Sequence, residues 1–295
     1  MSAKISNFSK GFLTAIPVSL AVCWSIGSIL TRGRRACVEA ASPPAQDIQL
    51  ETSDGISIAA TFRSGRCSYS PAVLLLHGVG ASRHATAANA VWLTSLGYAT
   101  LTIDFRGHGQ STTTSRTFGL REAIDARVAF AWLKQRQNNA RICIIGISLG
   151  GAACLLGDTG PIPADALILQ GLYSDIRHAI RNRIARYTSC SIAYFLEPLL
   201  SFQAPLRFGV WPSHLSPVKA LPRYHGPVLI IGGEQDKSTL AVETRAIYAA
   251  ARGNKKLMLF PTGDHTAICR LTSTVYRDGV KAFLAQTIGS ADITK

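Results

Sequence analysis

The stretch Ile142-Cys-Ile-Ile-Gly-Ile-Ser-Leu-Gly-Gly constrains this chain more than any other. Ile142 to Ile145 carry no polar side chain on either face, the pattern of a strand buried on both sides in a parallel sheet covered by helices. The strand runs directly into Gly146-Ile147-Ser148-Leu149-Gly150, and Gly151-Ala-Ala then opens a helix. Such a junction puts the serine on a sharp, strained turn, where glycines two before and two after leave room for the backbone. The helix N-terminus behind it favours a developing negative charge. The competing reading is an ordinary tight strand–helix turn.

The rest of the chain repeats strand and helix signals from residue 47 onward. Ile48 to Thr52 and Ile56 to Phe62 alternate around Ser53-Asp54-Gly55, a hairpin signal. Solid apolar runs at Ala72–Leu76, Ala99–Ile103, Arg141–Ile147, Ala166–Gln170 and Val228–Ile231, with Lys256–Phe260, predict the remaining strands. Helical spacing falls at Ala85–Leu96, Leu120–Gln137, Leu149–Leu156, Thr239–Ala251 and from about Cys269 to Gln286. An antiparallel start followed by βαβ units implies one mostly parallel, doubly wound sheet of about eight strands. Residues 171–226 break the rhythm and are expected as a cap-like insertion. There Ser174-Asp175 can cap a helix whose Ile176, Ile180, Ile184 and Tyr187 share a stripe. Seven basic residues against Asp175 and Glu197 make the insertion strongly positive.

A length of 295 residues suits one large α/β domain, 46–295, behind a separate N-terminal segment, 1–45. Gly11 to Leu30 are twenty uncharged positions, enough at helical rise to cross the ~30 Å core of a bilayer. Lys4 and Lys10 precede the run, and Arg32, Arg34 and Arg35 follow it. We expect a membrane anchor. The alternatives are a signal segment cleaved near Val38-Glu39-Ala40, giving a secreted or periplasmic protein, and a buried core helix. Ala41 to Gln46 reads as a linker. Lysine and arginine exceed aspartate and glutamate by 31 to 17, a balance that suits nucleic acid or anionic lipid. No nucleic-acid recognition motif accompanies it, so no nucleic-acid partner is expected. Seven cysteines without a C-x-x-C pair point to no metal site, and Cys143 and Cys154 read as small buried hydrophobes. No cofactor motif is present: no G-x-x-x-x-G-K-[ST] occurs in the chain.

A nucleophilic serine needs a base and an orienting acid, in this topology in the order serine, acid, histidine. Asp236 follows the strand Val228–Ile231 and His265 follows Lys256–Phe260, so both fall at carboxyl ends of parallel strands. His77-Gly78-Val79-Gly80 closes the strand ending at Leu76. Its turn assigns the Val79 amide, with that of Leu149, to an oxyanion hole, while His77 itself is expected to tie the loop.

GISLGG around Ser148, HGVGAS at 77–82, DFRGHGQS at 104–111, GGEQD at 232–236 and GDH at 263–265 resemble the α/β-hydrolase superfamily. The likeness runs from about Glu51 to Ala285. It lies nearest the bacterial branch of serine aminopeptidase-like hydrolases and bile-acid-CoA acyltransferase-type thioesterases, as LSPVKALPRYHGPVLIIGGEQD at 215–236 illustrates. The resemblance implies the α/β-hydrolase fold, with Ser148 as nucleophile, His265 as base and Asp236 as acid. It implies a serine hydrolase acting on an ester or thioester of a small-molecule or lipid-like acyl substrate. Acyl transfer, peptide cleavage, and a non-catalytic role binding lipid or a partner are the rival functions.

Overall fold

The computed structural model describes residues 20–270 and 272–290. Eight strands form one sheet: β1 (Gln46–Glu51), β2 (Ser57–Arg63), β3 (Ala72–Leu76), β4 (Ala99–Ile103), β5 (Ile142–Ile147), β6 (Ala166–Gln170), β7 (Val228–Gly233) and β8 (Lys255–Phe260). Their order is β1-β2-β4-β3-β5-β6-β7-β8. β2 runs antiparallel to both neighbours, and every other pairing is parallel. The carboxyl ends of β3, β5, β7 and β8 therefore share one edge of the sheet, where open α/β sheets place their sites.

Side-chain alternation divides the strands' apolar residues between two layers. Leu74, Leu101, Ile144, Leu169 and Ile230 face α3 (Glu122–Arg136) and α4 (Leu149–Leu155). Val73, Leu75, Ile145, Ile168 and Leu229 face α2 (Ala87–Ser95) and the carboxyl-terminal α11 (Thr274–Thr287). Each such side chain taken fully from water stabilises by roughly 1.5–3 kcal/mol. The all-apolar central runs follow from this double coverage.

Helix boundaries depart from the sequence expectation where polar side chains capture backbone amides. The helix expected from Thr239 begins as α9 at Ala241 (Ala241–Ala250), because the amides of Ser238 and Thr239 donate to Asp236 Oδ1 at 2.7 and 2.9 Å. The helix expected from about Cys269 to Gln286 starts instead at Thr274 as α11, and a short helix precedes it. α10 (His265–Cys269) is capped by Asp264, which accepts from the Ala267 amide at 2.7 Å, and α11 is capped by Ser273. The DFRGHGQS segment is held by buried ion pairs. Arg83 donates to Asp104, and Arg106 to Asp125 and Asp54.

Residues 171–226 fold as α5 (Ile176–Ala185), α6 (Cys190–Ser201), α7 (Ala204–Phe208) and the single turn α8 (Pro217–Ala220). They lie between β6 and β7.

A helix, α1, covers residues 20–31. Among the described residues no helix is long and apolar enough to cross a membrane, so the expected span Gly11–Leu30 finds no support there; residues 11–19 lie outside them. α1 packs on the insertion instead. Arg207 stacks on the Trp24 ring, 3.9 Å from its centroid, and donates to the Trp24 carbonyl at 2.6 Å; Gln203 donates to the Cys23 carbonyl at 2.9 Å. The chain after α1 is sewn to the DFRGHGQS loop, with Arg34 N donating to Gly107 O and Arg116 N to Thr31 O at 3.0 and 2.7 Å. Gly33 permits that approach, since a Cβ there would lie 2.2 Å from the Thr114 carbonyl oxygen. In their described part, residues 1–45 thus contact both the insertion and the DFRGHGQS loop.

Candidate active site

Ser148 occupies the turn from β5 to α4 with φ 47° and ψ −105°. A non-glycine residue there is strained by roughly 1–3 kcal/mol and persists only where its surroundings enforce it. Two contacts do so: the Ser148 amide donates to the Gln170 carbonyl at 2.8 Å, and Gly150 packs so tightly that a Cβ would lie 2.3 Å from Leu76 O.

Asp236 and His265 meet across the ends of β7 and β8. His265 Nδ1 lies 2.7 Å from Asp236 Oδ2. That oxygen also accepts from Thr239 Oγ1 at 2.5 Å, while Oδ1 takes the two amides that delay α9. Burial works against the Asp236 carboxylate, but the bonds from His265 and Thr239 outweigh it and hold its pKa below the ordinary value. Burial likewise opposes the imidazolium of His265. The bonds to Asp236 and Cys269 prevail, raising its pKa from 6.5 to about 9. Nε2 lies 3.7 Å from Cys269 Sγ, one helical turn on, and no hydrogen bond joins it to Ser148 among the described residues. Resting enzymes commonly show such looseness, which tightens once substrate is bound.

The alternative acids lie elsewhere. Glu234 pairs with Arg245 at 2.6 Å on the surface, and Asp264 caps α10. His77 is fully buried, with Nδ1 2.7 Å from the Gly78 carbonyl and Nε2 accepting from the Phe105 amide at 3.1 Å. Those partners fix the neutral tautomer, and burial lowers its pKa to about 4. His77 therefore ties two loops together.

Ser148 opens into a cavity of about 980 Å³ that Val79 and Leu149 also line. Neither of their amides has an acceptor among the described residues. The stripe Ile176, Ile180, Ile184 and Tyr187 of the insertion forms one wall, and Ile26, Ile29 and Leu30 of α1 another. Arg32, Arg34 and Arg35, read in the sequence as charges flanking a membrane span, line this cavity with Arg116 and Arg183. Sequence reasoning did not reach Thr239, Gln170, Cys269 or Arg116, and it read Arg183 only as one of the insertion's basic residues. Gln170 holds α10 in place by donating to the Ile268 carbonyl. Only the polar residue ending an apolar strand hinted at it.

The sequence matches the alpha/beta hydrolase family over residues 73–273, most of the chain. The chain belongs to the α/β-hydrolase family. An uncharacterized protein of Mycobacterium tuberculosis is 29% identical to this hydrolase over 248 residues, covering 83% of it and 81% of the relative. The lysophosphatidylserine lipase ABHD12 of Rattus norvegicus is 34% identical over 151 residues, 48% of this hydrolase and 37% of the relative. Among solved structures, the Pyrococcus furiosus esterase Pf2001 superposes with a TM-score of 0.68 at 20% identity, covering 87% of this chain and 99% of its own. At that identity the likeness speaks for the fold.

Proposed function

We propose that this α/β-hydrolase cleaves a carboxylic ester or thioester of a lipid-like acyl group through an acyl-enzyme on Ser148. One observation carries the reading: the Asp236–His265 pair stands at the same sheet edge as a strained serine, and that serine opens into an apolar cavity beside two unpaired amides. Ser148 Oγ attacks the acyl carbonyl while its proton passes to His265 Nε2. The carbonyl oxygen takes the negative charge and accepts from the Val79 and Leu149 amides. Collapse breaks the bond to the alcohol or thiol, which leaves with the proton from His265. A water then gives its proton to His265, attacks the acyl-serine and releases the acid, and the proton returns to Ser148.

The cavity's volume and its isoleucine walls favour a long acyl chain. The insertion and α1 also expose large apolar side chains, including Leu206 at 81% and Phe195 at 76%. Those side chains suit contact with a lipid surface from which such a substrate is drawn. The relatives named as an esterase and a lipase fit the same chemistry. The test is hydrolysis of p-nitrophenyl esters of graded chain length by the full chain and by Ser148→Ala. Turnover that rises with chain length and is lost in the variant is expected; residual turnover within tenfold of wild type would overturn the reading.

A further inference from the structure

Arg116 is 9% exposed, yet its guanidinium makes no ion pair or hydrogen bond with any described residue, and its Nε is fully enclosed. The other buried arginines behave differently: Arg83 pairs with Asp104, and Arg106 with Asp54 and Asp125. Burying an unpaired charge costs several kcal/mol even after relaxation. Desolvation lowers the Arg116 pKa, and the neighbouring charge of Arg34 adds to it against the weaker pull of Glu122. Glu122 makes no ion pair with it among the described residues; its oxygens accept from the Thr117 amide and hydroxyl and the Gly119 amide. The compensating anion is therefore to be sought in the space Arg116 faces, the cavity of Ser148.

Four more guanidinium groups, those of Arg32, Arg34, Arg35 and Arg183, border that space without a carboxylate partner among the described residues. Arg34 is brought there by the bond from its amide to Gly107 O. Arg183 donates to the Ala179 carbonyl alone. Ile26 and Ile29 of α1 and Ile176, Ile180 and Ile184 of α5 line the same cavity. An apolar trough with an unpaired cationic pole matches a molecule built the same way.

We propose that Arg116, with Arg34 beside it, is an anion subsite of the cavity, and that the substrate is an amphiphilic ester bearing a phosphate or carboxylate group. This rests on the esterase reading of Ser148, and binding measurements keep the two separable.

Two substrate pairs test it on the full chain. One is 1-acylglycerol against 1-acylglycerol 3-phosphate of the same acyl chain. The other is a long-chain methyl ester against the monomethyl ester of the matching dicarboxylic acid. The anionic member of one pair is expected to be preferred, and which pair shows it tells whether the anion sits in the leaving group or on the acyl chain. Arg116→Gln should lower the anionic-to-neutral ratio of kcat/KM by about thirtyfold, as loss of one partner from a desolvated charge pair does. Arg116→Lys should restore part of it, a point charge replacing a planar fork. Independently of turnover, dodecyl phosphate should raise the melting temperature of the wild-type chain, while dodecanol and inorganic phosphate alone raise it less. Equal kcat/KM within both pairs, with variants that lower both members alike, would overturn the subsite and leave the esterase standing. Stabilisation by inorganic phosphate equal to that by dodecyl phosphate would overturn the amphiphile. Stabilisation by dodecyl phosphate without hydrolysis of any ester would keep the subsite and sink the esterase.

Discussion

Replacing Asp236 by asparagine should disable His265 for a reason legible in four hydrogen bonds. Oδ1 accepts from two amides, those of Ser238 and Thr239, so the asparagine carbonyl oxygen must take that place. Its NH₂ group then occupies the position of Oδ2 and points a donor at His265 Nδ1. Nδ1 becomes an acceptor, the ring proton moves to Nε2, and Nε2 can no longer receive the proton of Ser148. The loss of charge acts in the same direction. The rise of the His265 pKa from 6.5 to about 9 corresponds to ~3 kcal/mol of preference for the imidazolium, and the Asp236 bond is the chief support of that preference. Wrong tautomer and lost stabilisation together should cost about 10⁴-fold in kcat. Two control variants bracket the effect. Asp264→Asn keeps a competent helix cap, and Glu234→Gln removes one surface ion pair, so both should stay within a few-fold of wild type. The assay is p-nitrophenyl ester hydrolysis, with circular dichroism to confirm folding. A loss under tenfold for Asp236→Asn, or an equal loss for either control, would refute the reasoning.

Further outcomes follow from other contacts. Because the base must be neutral, the ascending limb of kcat/KM against pH should lie above the ordinary histidine value, toward 9; Cys269→Ala, which removes one support of the imidazolium, should move it down. An unmoved limb would show that the thiol leaves Nε2 unaffected. Gly33→Ala places a methyl against the Thr114 carbonyl and the Gly107 backbone and should destabilise by roughly 1–3 kcal/mol in urea unfolding; an unchanged midpoint would mean that the chain after α1 is not seated there. Leu206→Asp with Phe195→Asp should reduce co-sedimentation with anionic vesicles while sparing hydrolysis of a soluble short ester; undiminished binding would remove the lipid contact from this face.

What could be read from the sequence divides by physical range. Ile142–Ile145 and Val228–Ile231 are apolar on both faces, which only a covered parallel strand accommodates, so sheet and strand ends followed from local pattern. Ser148, Asp236 and His265 follow the ends of β5, β7 and β8, and their order in the chain was enough to propose them as one site. Thr239 and Gln170 stayed hidden because their work is done by long-range hydrogen bonds that leave no periodic trace. The described part of the N-terminal run, residues 20–30, walls an apolar cavity, a placement that hydropathy alone does not distinguish from facing lipid. Arg34 and Arg116 meet only because Gly33 lets two distant backbones touch, a contact no spacing rule anticipates.

The most direct test of the central claim is to label the full-length chain with a fluorophosphonate and locate the adduct by peptide mass spectrometry. The account predicts a single phosphonylated residue, Ser148, with labelling abolished in Ser148→Ala and slowed severely in Asp236→Asn. An unlabelled wild-type chain, or an adduct on any other residue, would contradict it.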